Sequence, residues 1–290
     1  MNPWIETYRG MVARWEVDMV DHFTVAYYFD RLADASQNAL EALGLGPAVL
    51  KRARQRAVTV DCYVRYLHEL RAGDILHILS GVIGVEAQSL LLGHKLFDSQ
   101  NDHLCATVEQ RVQLIRGRGP VKLTPGQRRL LDARRVDWDG PPRERRDEPR
   151  GDEGFHSSTR DVVGPDEIDG TGQSALSHYV HRFTCANTQL IARFGMTPTY
   201  IREQQRGFST FEFQLAVSGQ LRAGDPVLVK SALLHLGNSS LRVFHRMLNS
   251  RTGERVASLQ QLGVHLDTQA RRPVPLPDTL RDRAKALLIS

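Results

Sequence analysis

The chain has 290 residues, a formal net charge of +5 and a hydrophobic content of 41%. Those values suit one large globular domain or two of ordinary size, with no apolar run near the roughly 20 residues that a membrane-crossing helix needs. The N-terminus MNPWIETYRGMVARWEV has no charged region followed by an apolar core, so it does not read as a signal peptide, and the expected setting is the cytoplasm.

Cys62, Cys105 and Cys185 are odd in number and widely spaced, which suggests neither a disulfide framework nor a zinc site. No P-loop or GxGxxG follows a strand, so no cofactor is expected, and no metal.

In chain order, the pattern predicts a short strand over Gly10–Asp18 and a long helix from Thr24 to Leu43. Tyr28, Leu32, Ala35, Ala39 and Leu43 recur at helical spacing along one buried stripe. Gly44, with Pro47 beyond it, is a natural stop. VTVDCYVRYL then alternates as a strand with one covered face, with Val58, Val60, Cys62, Val64 and Tyr66 on one side. After the turn RAGD come three more strands, in ILHILSGVIGV, SLLLGHKLF and LCATVEQRVQLI.

The whole pattern then repeats. At an offset of 151 positions, ELRAGD at Glu69 falls on QLRAGD at Gln220, and Val12, Glu16, Asp18, Tyr28 and Arg31 fall on Val163, Glu167, Asp169, Tyr179 and Arg182. PVKLTP at Pro120 and PVPLPD at Pro273 match at a slightly larger offset. Such persistence of one register marks a duplicated unit. The expected division is a first unit over 1–136, a flexible charged linker over 137–161 and a second unit over 162–290. The linker is rich in Pro, Gly and both charge signs and poor in aliphatics, so a solvated tether is the expectation. Each unit is α+β: a strand, one long helix and four further strands, the helix covering the apolar face of an antiparallel five-stranded sheet.

These residues resemble a known family. Trp15, Asp18, His22, Thr24 and Tyr28 are similar to the W-x-x-D-x-x-G-H-x-x-x-x-x-Y signature of hot-dog acyl-CoA thioesterases, nearest the subgroup associated with carnitine and betaine metabolism. YLHELRAGD at Tyr66 resembles the family's Y-x-x-E-L-x-x-G-D element, and ARRPVPLP at Ala270 its C-terminal element. The likeness is to a tandem (double) hot-dog protein of the 4-hydroxybenzoyl-CoA thioesterase-like superfamily. Two departures stand out: Asp21 replaces the glycine before the histidine in the first copy, and Gln173 replaces the histidine in the second, which keeps Gly172.

The resemblance implies hydrolysis of a small or medium acyl-CoA. Asp18 is the expected general base or nucleophile, and hot-dog enzymes use an acid in this region both ways. His22 would hold Asp18 or the substrate, and Glu69 would orient water. Phe23 and Thr24 sit where a helix N-terminus would polarise the thioester carbonyl, and Tyr28 follows on the same helix. Arg54 and Arg56, within LKRARQR, either meet the phosphates of coenzyme A or lie in a solvated loop after the helix, the two readings standing level. Asp169, Gln173 and Tyr179 form a possible second site.

Bland readings stand beside these. Asp18 can simply cap the helix, Tyr28 can be core, Glu69 can be a solvated surface acid, and Asp21 can be a first-turn acid favoured by the helix dipole. His94 and His245, matched between copies, read as structural. The alternatives to an acyl-CoA thioesterase are a non-catalytic acyl-CoA-binding or regulatory protein, and an acyl-thioester hydratase or dehydratase. The expected partner is the acyl-CoA substrate, with no nucleic acid and no membrane, the chain standing as a monomeric pseudo-dimer or a homo-oligomer of it.

Overall fold

The structure is a computed structural model that describes residues 4–117, 119–170 and 172–289. Contacts divide the chain into two compact units that meet in sequence at Arg143 and Glu144, with the short loop Asp18–Asp21 grouping with the second. Each unit is a hot-dog: one long helix against an antiparallel sheet.

In the first unit, β1 (Ile5–Met11) is followed by α1 (Val25–Ala42), the short α2 (Pro47–Arg52), then β2 (Arg56–Tyr66), β3 (Ile75–Val85), β4 (Ser89–Asp98) and β5 (Leu104–Arg116). The sheet order is β1-β3-β4-β5-β2, every neighbour antiparallel. A two-residue strand β6 (Gly119–Pro120) pairs with β5 and leads to α3 (Pro125–Asp132). α1 buries Tyr28, Leu32, Ala35 and Ala39, the expected stripe. Leu43.N closes on Ala39.O as the helix ends, and Gly44 takes a left-handed φ of 73° at the stop.

The second unit repeats this with β7 (His156–Val162), α4 (Leu176–Arg193), α5 (Pro198–Gln204), β8 (Arg206–Val217), β9 (Pro226–Leu236), β10 (Ser240–Asn249), β11 (Arg255–Asp267), β12 (Arg272–Pro273) and α6 (Asp278–Lys285). Its order is β8-β11-β10-β9-β7, with β12 on β11.

Three details differ from the sequence reading. The first strand is β1, not Gly10–Asp18: the chain leaves the sheet after Met11 and closes a 3-10 turn at Arg14–Glu16. The Glu16 carboxylate accepts the Ala13 N–H at 2.8 Å, which draws the backbone out of the extended state. On β2, a register shift between Thr59 and Asp61 breaks the simple alternation, and Cys62, Tyr63 and Val64 are all buried.

The third detail concerns the segment expected as a tether. Its last residues form β7, and several of its side chains pair with strands of the unit they belong to. In the first unit, Trp138 Nε1 donates to Glu109 at 2.8 Å, Arg143 donates to Asp61 at 2.5 Å, and the Pro142 carbonyl accepts from Tyr63 Oη at 3.1 Å. That strap covers the second face of β2. In the second unit, Arg146 pairs with Glu212, both nearly buried, and Asp152 pairs with Arg246 and with Lys230. Among the described residues no helix is long and apolar enough to cross a membrane.

Candidate active site

The site is built at the N-terminal end of α1, from a loop closed on itself. Val17 bridges Phe23, the Thr24 N–H donates to the Glu16 carbonyl at 2.9 Å, and the Phe23 N–H donates to the Leu70 carbonyl at 2.7 Å. The second unit closes its loop the same way: Ile168 bridges Ser174, the Ala175 N–H donates to the Glu167 carbonyl at 3.0 Å, and the Ser174 N–H donates to the Leu221 carbonyl at 2.8 Å. An acid, buried in the first unit and half-buried in the second, anchors each loop to its helix. Glu16 lies 2.5 Å from Arg31 Nη2 on α1, and Glu167 lies 2.6 Å from Arg182 Nη1 on α4. Both residues of each pair align in the repeat, but their pairing is visible only once the helix is folded over the turn.

Asp18 sits inside this loop. Its Oδ1 accepts the Val20 N–H at 2.9 Å, and Asp18.O accepts the Asp21 N–H at 3.1 Å. The cap reading of Asp18 is thereby overturned: the N-cap of α1 is Thr24, and Asp18 shapes a tight turn ahead of it. Asp21 is not in the first helical turn either. It adopts φ 61°, the left-handed conformation that Gly172 holds at 79° in the second unit. The glycine of the signature is thus a backbone requirement, met in the first copy by one of the few side chains that tolerate it.

His22 follows Asp21 and points at Glu69. His22 Nε2 and Glu69 Oε1 are 2.9 Å apart, with Arg71 Nη2 3.7 Å from the other carboxylate oxygen. Two residues named separately in the sequence thus form one pair. At the matching positions the second unit has Gln173 and Gln220, neutral on both sides. There the Gln173 N–H donates to Asp169 Oδ1 at 3.3 Å, and the Asp169 N–H donates to the Gln173 carbonyl at 2.8 Å, so the loop persists without the histidine–glutamate pair.

Beneath the loop lies an aromatic cluster. Phe23 and Tyr28 stand 4.5 Å apart between ring centroids, and Tyr28 meets Tyr66 edge-on at 5.0 Å. Burial pushes the Tyr66 phenol well above its usual range, so it stays neutral. Tyr28 is 7% exposed and belongs to this core. In the second unit Tyr179 is equally buried, but Ser174 and Val217 stand where Phe23 and Tyr66 are. The Tyr179 hydroxyl accepts the Leu221 N–H at 2.9 Å, and burial raises its pKa to about 12.

Arg54 and Arg56 are not brought to this loop within their unit. They follow the C-terminal end of α1, and an 18-residue helix separates its ends by about 27 Å. Arg54 itself takes a left-handed φ of 53°, at the position where Gln205 takes 51° in the other copy. His94 and His245 lie away from the loops and are fully buried, each Nδ1 2.7 Å from a serine hydroxyl, Ser80 or Ser231. Burial lowers their pKa values to about 4 and about 3. Among the described residues no group of His, Cys, Asp or Glu could hold a metal ion.

Two closed loops at helix N-termini, each in a hot-dog unit, define a tandem hot-dog protein of the thioesterase type. A sequence profile of the thioesterase-like superfamily matches residues 12–131 and 163–284, and the chain belongs to that superfamily. Over 113 residues it is 28% identical to the L-carnitine dehydrogenase/betainyl-CoA thioesterase of Agrobacterium fabrum, a match covering 39% of this chain and 23% of that one. The matched stretch thus spans about a quarter of the length of these curated relatives. The fold is shared with solved structures. An acyl-ACP thioesterase from Bacteroides thetaiotaomicron superposes with a TM-score of 0.69 at 12% identity, covering 90% of this chain and 98% of that one. The 12:0-ACP thioesterase from Umbellularia californica gives 0.70 at 10% identity, covering 91% and 94%.

Proposed function

We propose that the protein is an acyl-CoA thioesterase of the cytoplasm that works from its first repeat. The observation that carries this reading is the His22–Glu69 pair, 2.9 Å apart beside the Asp18 loop and replaced by two glutamines in the other copy. The superfamily supports the reaction class, and cysteines that form no disulfide support the compartment.

Hydrolysis needs an oxygen nucleophile and stabilisation of the oxyanion. The Asp18 carboxylate delivers the nucleophile, by activating water or by attacking the carbonyl carbon to expel the coenzyme A thiolate and leave an anhydride that water cleaves. The first N–H groups of α1, those of Val25 and Ala26, face the developing oxyanion together with the helix dipole. Glu69 fixes the His22 ring, and His22 holds the substrate against Asp18. Phe23, Thr24 and Tyr28 shape the floor.

Thiol release from a panel of coenzyme A thioesters, with betainyl, short-chain and aromatic members, tests this. Wild type is expected to release thiol from at least one, and Asp18→Ala to abolish it. Binding without turnover by wild type would make this a binding protein instead. Single turnover in ¹⁸O-water probes the role of Asp18: label in the Asp18 carboxylate marks an anhydride cleaved at the Asp18 carbonyl, and label in the product acid alone places the attack of water at the acyl carbon.

A further inference from the structure

The two units differ most in charge at the end remote from these loops. In the first unit, α2, the end of β5 and α3 meet around one apolar cluster that contains Leu50, Leu114, Leu123 and Leu131. Arg134 Nη1 donates to Ala42.O at 2.6 Å and so sets the end of α3 against the last turn of α1. Around that cluster stand Lys51, Arg52, Arg116, Lys122, Arg128 and Arg129, all exposed. None of the six is in an ion pair among the described residues. The acids nearest in sequence are few, and one of them, Asp132, is paired with Arg135 at 3.0 Å.

The second unit builds the same end with less positive charge. α5 and α6 repeat α2 and α3, and the six positions read Arg202, Glu203, Asp267, Pro275, Arg281 and Asp282. Six cations become two cations and three acids. Arg281 is moreover turned inward onto the carbonyls of Gly237 and Asn238. The fold therefore does not need the basic set, and helix termini do not account for it, since both units have the same helices.

Two aliphatic side chains stand among the cations. Val49 on α2 is 45% exposed and Leu130 on α3 is 49% exposed. Their counterparts are Tyr200 and Arg283, so this feature too is confined to the first unit. Cations surrounding protruding aliphatics on short surface helices match the chemistry of a bilayer interface: the charges meet anionic headgroups, and the aliphatics enter the acyl boundary. Nucleic acid supplies anions as well, but single strands are held by stacking on aromatic rings, and no aromatic residue lies in 46–54 or 114–131.

We propose that the α2–α3 end of the first unit is a docking surface for an anionic phospholipid bilayer. This is peripheral attachment by one face, and it holds whatever acyl group the loops act on. It leaves the Asp18 loop about one 18-residue helix, about 27 Å, from the docked end.

Co-sedimentation of the full chain with lipid vesicles tests the proposal. Binding is expected to phosphatidylcholine vesicles that contain phosphatidylglycerol, to fall steeply with added salt, and to be absent with pure phosphatidylcholine. Reversing four charges (Lys51→Glu, Arg52→Glu, Arg128→Glu and Arg129→Glu together) is expected to weaken binding by several hundred-fold or more, at about fivefold per lost cation. Arg202→Glu with Arg281→Gln in the second unit is expected to leave it unchanged. Val49→Ser with Leu130→Ser is expected to weaken it several-fold even where salt has screened the charges. Circular dichroism of each variant confirms folding. Equal binding to neutral vesicles, or retention by the four-site variant, overturns the proposal. Tighter binding to single-stranded DNA than to vesicles at the same salt overturns it in favour of a nucleic-acid surface.

Discussion

The loop Val17–Phe23 and its counterpart Ile168–Ser174 share a backbone and differ in chemistry. Both are closed by the same bridge, the same two backbone bonds and the same glutamate–arginine anchor. Only the first carries the His22–Glu69 pair; the second carries Gln173 and Gln220. The anchor therefore belongs to the fold, since it survives where the histidine–glutamate pair does not. A duplicated chain separates what a loop needs to exist from what it needs to react, and each prediction below perturbs one side of that division.

The largest effect is expected at Asp18. Asp18→Ala should lower kcat/KM for thiol release by about a thousand-fold or more, the scale of a lost base or nucleophile. Asp169→Ala should change it less than twofold. A comparable loss in both variants would show that both loops turn over, and would remove the functional asymmetry between the repeats.

The buried histidines perturb what the two units share. Burial holds His94 near pKa 4 and His245 near 3, against about 6.5 in an unfolded chain. Between those values the unfolded chain binds the additional protons, so stability falls as pH drops below about 6.5 and stops falling once pH passes the folded values. Each histidine should remove roughly 3–5 kcal/mol over that window. Urea midpoints measured from pH 7 to pH 4 check this. His94→Gln, judged against wild type, should flatten the slope in the first unit, and an unchanged slope would break the assignment.

Much of this was legible in the chain. The helix stripe, four of the five strands of each sheet and the duplication follow from periodicity and offset. The bounds of β1 were not, because Met11, Ala13, Trp15 and Val17 continue an alternation while the Glu16 carboxylate, bonded to the Ala13 N–H, closes a 3-10 turn over Arg14–Glu16. The residues 137–155 interleave seven acids with four arginines; that Arg143 meets Asp61 and Arg146 meets Glu212 depends on which strand lies under each. Asp18, His22 and Glu69 were each readable, but the contact between the last two crosses from the loop to the turn before β3. The remoteness of Arg54 and Arg56 did have a signal: a helix of that length must carry whatever follows it to the far end of its unit.

The His22–Glu69 pair sharpens the comparison directly. His22→Gln copies the second loop into the first and should lower kcat by about ten- to a hundredfold. Glu69→Gln should cost less, because the ring remains. The double variant should cost little more than His22→Gln alone, because the glutamate acts through the ring and groups working as a unit are not additive. Additive losses would mean that Glu69 acts on water independently of the histidine.

The smallest effect concerns Asp21, and it decides whether the departure from the signature is chemical or only conformational. Asp21 occupies φ 61° where Gly172 occupies 79°. A left-handed L-residue costs roughly 1 kcal/mol, somewhat less for aspartate. Glycine removes that strain but returns a similar amount through the greater freedom of the unfolded chain. Asp21→Gly should therefore shift stability by no more than about 0.5 kcal/mol and leave kcat unchanged. Gly172→Asp should be mildly destabilising: no atom lies within 4 Å of the added Cβ, so strain alone opposes it. Thermal melts and thiol-release assays on the two variants make the measurement. A tenfold fall in kcat for Asp21→Gly, with the melting temperature held, would assign the Asp21 carboxylate to the reaction and make the altered signature a working part of the first loop.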